Sequence, residues 1–511
     1  MDDLIKDLHD RKDKAKYMGG IDKINRQHSL DRLTARERID QLLDYDTFLE
    51  LGMLNHSNME GYADKSWGDG IIAGLGKING RSVVVAAMDK TVFAGTEGTV
   101  SWRKSEKIHE FALSKGLPIF HLGEGGGLRM PDGMGSDGIS SKIMPKYLTN
   151  HGRQVPFFTS ILGDSYGWST WMAVSSDIVV QAKGTCMAVA GPRMLEMATG
   201  EKISSEELGG WKIHAEHTGQ VDLFADRDEE AIEAMKKAFE FFPSNPSEDP
   251  PVRETSDNPD RPLDEVMKLV PTARNRAYDM HKLIRLIVDD RKFFEVKELY
   301  GRALITGFAH LNGRAVGIIA NQPFRNAGAA GPKECDKATE FICLCDSWNI
   351  PLVFLHDIPG FHVASAAEKL KMPTKIMVWN QALAKATVPK ISIVVRKSIG
   401  AAYGNMGGPT MSDFVFAWPT AEINFTGPEA GVNVVYGRKL EEAEDPGTER
   451  EELLEQWGFD SGPYKAAGKH LIDDVIDPKD TRKVLCRTLD FLCERNGSLS
   501  QRLLANWPTG F

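Results

Sequence analysis

INGRSVVVAAMDKTVFAGTEGTVSWRKSEKIHEFALSKGLPIFHLGEGGG, residues 78–127, lines up without a gap on LNGRAVGIIANQPFRNAGAAGPKECDKATEFICLCDSWNIPLVFLHDIPG, residues 311–360. Asn79-Gly80-Arg81 falls on Asn312-Gly313-Arg314, Ala94-Gly95 on Ala327-Gly328, Gly98 on Gly331, Lys104 on Lys337 and Pro118 on Pro351, always 233 positions apart. The offset persists where Val155-Pro156 meets Val388-Pro389 and Gly167 meets Gly400. A register held over that distance marks two copies of one structural unit.

Each copy reads the same way. Ile71 to Asp89 contains two apolar runs joined by Asn79-Gly80, a strong hairpin signal. A small-residue loop follows, then a helix expected over Ser105 to Lys115 and stopped by Gly116. The short buried strand Pro118 to Leu122 then feeds the loop Gly123-Glu124-Gly125-Gly126-Gly127. Strand, helix, strand is a crossover unit, so the class is α/β. The second copy predicts a helix over Asn275 to Val288, a hairpin at Asn312-Gly313, a helix over Lys333 to Asp346 and a strand from Pro351 to His356.

The rest of the chain is arranged around these copies. At 511 residues it exceeds one core, and two domains of roughly 200 to 250 residues suit the size limit. Residues 1–45 read as a helical arm on a first domain of 1–245, with Leu33, Ile39, Leu42 and Leu43 on one helical face. The Pro-, Ser- and acid-rich stretch within Phe242 to Pro262 carries no hydrophobic period and gives a linker at 246–262. The second domain then runs over 263–511, closing on helices near Glu449 to Trp457 and Thr481 to Arg495.

Composition narrows the function. With 62 Lys+Arg against 72 Asp+Glu the net charge is -10 and no basic run stands out, which disfavours nucleic acid. The six cysteines (Cys186, Cys335, Cys343, Cys345, Cys486, Cys493) form no CxxC pair, so no metal site is expected and reduced thiols in a cytoplasmic setting are. The start MDDLIKDLHDRKDKAKYMGG has no apolar core of a signal peptide, and no apolar run of about 18 residues occurs.

Four small-residue turns recur in register: Ala94 to Gly98 and Ala327 to Gly331 after the hairpins, Gly163 to Trp168 and Lys397 to Ala402 after a later strand. Such turns at strand-to-helix junctions can aim backbone N–H groups at a ligand oxygen, or they can be close-packed turns without a ligand. His356, His362 and His214 read as structural histidines, and Glu124 and Asp164 as turn or capping groups that could alternatively serve as acid or base. Lys369-Leu370-Lys371-Met372-Pro373 is no biotin-attachment sequence, since its Pro would spoil a hairpin tip, and Glu206-Glu207 and Glu449 to Glu455 read as solvated helix faces.

A resemblance sharpens this. MGGIDKINRQHSLDRLTARERIDQLLD, GDGIIAGLGKINGR, ATGEKISSEELGG with His214, NQPFRNAGA, CDSWNIPLVFLHDIPGF, ATVPKISIVVRKSIGAAYG, WPTAEINFTGPEAGVNVVYGRKL and DDVIDPKDTR together make the chain resemble the carboxyltransferase β subunits of biotin-dependent acyl-CoA carboxylases, of the propionyl-CoA and methylcrotonyl-CoA type. The resemblance implies two tandem crotonase-like (ββα-superhelix) domains. It also implies a ring-shaped homo-hexamer with active sites between one subunit's first domain and its partner's second. Biotin would arrive on a separate carrier protein served by a biotin carboxylase, and a coenzyme A thioester would be the substrate. The implied reaction moves CO2 from carboxybiotin to the α (or vinylogous γ) carbon of the acyl-CoA through an enolate.

Carried over, the thioester oxyanion pair falls on Gly167 and Trp168, and the pair for the biotin ureido oxygen falls within Gly400, Ala401 and Ala402. Gly95, Gly126, Gly127, Tyr403 and Gly404 would line the acyl-CoA side, and Gly328, Gly360 and Phe361 the biotin side. The family's usual Gly-Gly is here Gly167-Trp168, so the indole either shapes the acyl pocket or joins the core with Trp171. Other readings stand beside this one: the α subunit of a biotin-dependent acyl-CoA decarboxylase, a biotin-independent crotonase-like lyase or hydratase, and a non-catalytic scaffold.

Overall fold

The computed structural model describes residues 1–141 and 153–493, which divide into two compact units, residues 1–248 and from Asp249 onward. The end of the helix expected to reach Arg495 lies outside the described residues.

In the first unit, helices α1 (Asp2–Lys16), α2 (Ile21–Ser29) and α3 (Ala35–Leu42) form the arm. Helix α3 starts after Leu33 because the Thr34 side chain accepts from the Glu37 N–H and Glu37 accepts from the Thr34 N–H, a reciprocal cap that sets the first turn. Next come β1 (Leu49–Leu51), β2 (Ile71–Ile78), β3 (Arg81–Met88), α4 (Thr99–Lys115), β4 (Ile119–Gly123), β5 (Phe157–Ile161), β6 (Ser165–Tyr166), β7 (Ile178–Ala182), β8 (Met187–Ala188) and β9 (Leu223–Ala225). Their sheet runs β1-β2-β3-β4-β5-β7-β9, antiparallel up to β3 and parallel beyond, with β6 and β8 paired separately. Helix α4 begins six residues before the expected Ser105: the Ser101 Oγ accepts from the Gly98 N–H at 2.8 Å, and Ser101 and Lys104 are buried although polar. The apolar period alone could not show that first turn.

The second unit repeats the plan with β10 (Phe293–Val296), β11 (Leu304–Leu311), β12 (Arg314–Asn321), the helix Pro332–Ser347, β13 (Leu352–Ile358), β14 (Lys390–Ile399), β15 (Phe414–Ala417), β16 (Glu422–Asn424) and β17 (Asp474–Val475). The sheet order is β10-β11-β12-β13-β14-β15-β17, with β16 also on β14. The helix expected over Asn275 to Val288 is shorter, Met280–Ile287, because the Asp279 carboxylate accepts from the His281 N–H and caps it there. The expected linker has no helix or strand, yet its Arg253 N–H donates to Gly313 O at 2.8 Å, so it is laid down on the second hairpin turn.

The repeat holds at the level of hydrogen-bond register. Ile71 pairs Met88 as Leu304 pairs Asn321, Val84 pairs Ile119 as Gly317 pairs Leu352, and Ile119 pairs Phe157 as Leu352 pairs Lys390. Both hairpins turn on Asn-Gly with positive φ at both residues, as a type I′ turn requires. Each turn is held by one carboxylate accepting both N–H groups, Asp44 in the first copy and Asp289 in the second. The correspondence slips by three residues at the next strand, where Phe158 pairs Ile178 but Ile391 pairs Phe414. A separate hydrophobic core fills each unit, around Ile71, Val84, Ile119, Trp168 and Met172 in the first and Ile284, Ile318, Leu355 and Ile393 in the second.

Candidate functional site

The paired turns adopt one backbone conformation. Ala94 and Gly95 have φ of 56° and 67°, and Ala327 and Gly328 have 53° and 87°. A Cβ at Gly95 would overlap the Glu124 carbonyl, and one at Gly328 would overlap the Asp357 carbonyl. These two glycines are required by close packing of loop on loop. Gly126 is likewise packed, its N–H on Ala94 O at 3.2 Å. The loops are further tied by single bridges, Glu97 to Leu128 and Ala330 to Phe361. Phe361 lies edge-on to Trp379, and Gly360 (φ 136°) has open space where a side chain would be.

Gly167 (φ 58°, ψ -116°) and Gly400 (φ 67°, ψ -150°) each end a strand-to-helix turn that an L side chain rarely adopts. Their own N–H groups are not available as donors. Gly167 N–H lies on Val189 O at 3.1 Å and Ala188 O at 3.3 Å, and Gly400 N–H on Asn424 O at 2.8 Å. The glycines therefore shape the turn and the next residues carry the free donors. In the helix Trp168–Val174 the first ladder bond is Trp171 N–H to Gly167 O, so the Trp168 and Ser169 N–H groups stand outside the ladder. In the helix Ala401–Asn405 the first bond is Tyr403 N–H to Gly400 O, which leaves Ala401 and Ala402 in the same position. Gly127 sits against Gly167, so the loops 123–127 and 163–167 form one cradle in the first unit.

The Trp168 indole does not line that cradle. It is 4 % exposed and packed in the core beside Trp102, with ring centroids 4.8 Å apart, while Trp171 is the exposed one. A Cβ at Gly404 would meet no atom within 4 Å, and Tyr403 rests on the cluster of Val394, Val415 and Ala417 with its hydroxyl pushed up to about 12 by burial.

Several of the remaining sequence candidates take structural roles. His214 is held by Met187 O (2.7 Å) and the Thr218 hydroxyl. His356 is fully buried against the Ser398 hydroxyl and pushed down to about 3 by burial, and the His362 side chain is exposed. Glu124 accepts from Arg38 Nη1 at 2.6 Å and Gln27 Nε2 at 2.7 Å, so it is not a free acid or base. Lys371 stands between the helices Ser365–Lys369 and Met372–Lys385, as the N-cap of the second, so no hairpin tip exists there. Glu206 and Glu207 are exposed as expected, with Glu207 closing a capping box on Ser204. Among the described residues no disulfide joins the cysteines, and no group of His, Cys, Asp and Glu is placed to hold a metal.

Sequence reasoning missed a buried charge cluster beneath the first cradle. Arg129 Nη1 donates to Asp69 at 2.7 Å and Nη2 to Thr96 O, while neither carboxyl oxygen of the buried Glu97 has a partner. Burial, and then the Asp69 charge, push the Glu97 carboxyl up to about 8, so it is protonated at neutral pH. Its only sequence signal was an acid inside a small-residue loop.

Residues 26–506 match the family model described as the carboxyl transferase domain. The chain is 35% identical over 519 residues to the propionyl-CoA carboxylase carboxyltransferase subunit of Haloferax mediterranei, covering 99% of each chain. It is 32% identical over 509 residues to the methylmalonyl-CoA decarboxylase subunit alpha of Veillonella parvula, covering 98% of each. Among solved structures it matches the transcarboxylase 12S hexamer with methylmalonyl-coenzyme A and methylmalonic acid bound, with a TM-score of 0.92 at 32% identity over 99% of this chain and 98% of that one. With its tandem crotonase-like units and a match over nearly its whole length, the chain belongs to the carboxyl transferase domain family.

Proposed function

We propose that this chain is the carboxyltransferase subunit of an acyl-CoA carboxylase, which moves CO2 from carboxybiotin on a separate carrier protein to the α (or vinylogous γ) carbon of an acyl-CoA. The observation that carries this is the pair of cradles, in which Gly167 and Gly400 share one left-handed turn and each leaves orphan N–H groups on the next residues.

The chemistry asks for two sites of anion stabilisation and little else. Removing a proton α to a thioester places charge on its carbonyl oxygen, and in this reading the Trp168 and Ser169 N–H groups hold that oxygen. Carboxybiotin, when bound, supplies the CO2 and the proton acceptor. The second cradle suits its flat ureido ring: Gly360 leaves open room, and the Ala401 and Ala402 N–H groups are available for the ureido oxygen. One lost donor of this kind costs about 2.7–4 kcal/mol, or about 10²–10³ in rate. Fixed backbone dipoles need no titratable catalyst, consistent with Glu124 and the histidines being engaged elsewhere.

A biotin carboxylase and a biotin carrier protein would then be partners, and a homo-hexamer the assembly, in a cytoplasmic setting. Exposed apolar side chains support assembly: Val189, Met194 and Met197 in the first unit, Phe425, Val434 and Val435 in the second. No helix among the described residues is long and apolar enough to cross a membrane. The likeness to the Veillonella decarboxylase subunit favours a second reading, the same site run towards CO2 release.

The test combines the purified chain with carboxylated carrier protein and a panel of short, branched and aromatic acyl-CoAs. Carboxyl transfer that depends on the carrier supports the proposal, and turnover of an acyl-CoA without biotin overturns it.

A further inference from the structure

The repeat exposes a feature of the two cradles that neither copy shows alone. At the exit of the second central strand each unit buries a carboxylate, Glu124 in the first and Asp357 in the second, 233 positions apart. Glu124 opens the loop after β4 and Asp357 is the penultimate residue of β13, just before the loop that follows it, and the backbone carbonyl of each packs on the equivalent glycine, Gly95 or Gly328. The two are neutralised from different places.

In the second unit the partner is local. Arg396 on β14 donates through Nε to Asp357 at 2.9 Å, its Nη1 donates to the Arg276 carbonyl at 2.8 Å, and the Lys397 N–H reaches the other Asp357 oxygen at 3.3 Å. In the first unit the position equivalent to Arg396 is Gly163, where a Cβ would overlap the Glu124 side chain. The guanidinium comes instead from the arm: Arg38 of α3 donates through Nη1 to Glu124 (2.6 Å), through Nε to Asp228 (2.9 Å) and through Nη2 to the Leu162 carbonyl (3.1 Å), and Gln27 of α2 donates to Glu124 as well. Arg38 is fully buried and bonds to both strand exits that lead into the cradle, Glu124 after β4 and Leu162 after β5. The Tyr166 N–H on Gly125 O at 3.0 Å carries that constraint to the residue before Gly167.

We infer that Glu124 and Asp357 are positioning residues, each setting the cradle of its own unit, and that the first cradle alone is braced by the N-terminal arm through Arg38 and Gln27. Neither carboxylate touches the reacting atoms. Each fixes the start of a loop whose small residues carry the turn, because charge-assisted bonds to a buried carboxylate are stronger than neutral ones and hold it in one arrangement. The consequence is separability: loosening Glu124 disturbs the acyl-CoA side, and loosening Asp357 the biotin side. This assignment of sides rests on the function proposed above.

The experiment measures carboxyl exchange between a carboxylated acyl-CoA and free biotin, with the full-length chain, for wild type, E124Q and D357N. For E124Q the expected result is a fall of about tenfold in kcat/KM for the acyl-CoA with KM for biotin unchanged within about twofold, and the reverse split for D357N. If E124Q does not fold, Q27M removes one donor while keeping the ion pair, and about a threefold loss confined to the acyl-CoA side is expected. R38K, which keeps the cation but not the fork, should retain more activity than R38M. Equal losses toward both substrates, or no loss, would overturn the assignment. Should the wild-type chain itself show no biotin-dependent exchange, the functional reading fails, and calorimetry with propionyl-CoA then decides the positioning claim: weaker binding by E124Q with D357N unchanged supports it, and equal affinities reject it.

Discussion

Glu97 and Trp168 show how burial sets the role of a single residue. The Glu97 carboxyl is pushed up to about 8 from its ordinary 4.5, so the folded protein holds that proton more tightly than the unfolded chain. The linked contribution is present below pH 4.5 and is lost as pH rises through 8. E97Q, which keeps the shape without the charge, should therefore be more stable than wild type at pH 8 by about 1–3 kcal/mol and nearly equal to it at pH 4.5. Denaturant melts at the two pH values check this. Trp168 behaves as core: W168A should cost about 3–5 kcal/mol, while W168F should keep both fold and acyl preference because only the backbone N–H of that residue faces the cradle. A changed acyl preference in a stable W168F would place the indole in the pocket after all. The histidines act in the opposite sense to Glu97. Burial pushes His121 and His356 down to about 3 and His310 to about 4 from 6.5. Their contribution is complete above pH 6.5 and is lost as pH falls towards those values, which predicts a steep loss of stability below pH 6, and H121L should lessen it.

At the scale of elements the strand-to-helix turns decide the site. A side chain at Gly400 would have to adopt φ 67°, ψ -150° and would meet the Phe425 carbonyl at 3.1 Å, so G400V should cost about 1–3 kcal/mol in backbone strain as well as activity. Thermal melts alongside carboxyl-transfer assays separate the two losses. The elements themselves were largely legible: the hairpins, the central strands and the crossover helices follow from periodicity and Asn-Gly, because those signals are local. Helix starts were not. Thr99 and Met280 begin their helices on polar contacts, the Gly98 N–H to Ser101 and the His281 N–H to Asp279, that hydrophobic spacing does not record. The positive-φ glycine turns were legible too, but not which N–H groups remain outside the helix ladders, since the carbonyls of Val189 and Asn424 that occupy Gly167 and Gly400 come from separate segments.

For the whole molecule, the repeat organises two units, each with its own sheet, core and cradle. What broke the symmetry was invisible in sequence: Arg38 finds Glu124 across 86 positions and Asp228 across 190, contacts only the folded chain brings together. Removing such a buried guanidinium leaves Glu124 without a cation, held only by the Gln27 amide, while Asp228 keeps Arg32, so R38M should cost about 3–5 kcal/mol. The central claim, that the second cradle works through backbone donors, is tested most directly at Ala401. That residue is exposed and first in its helix, where proline is tolerated, so A401P deletes one N–H without disturbing the core. The rate of biotin-dependent carboxyl transfer to propionyl-CoA by A401P is predicted to fall about 10²–10³-fold with thermal stability retained, and an unchanged rate in the folded variant would contradict the account.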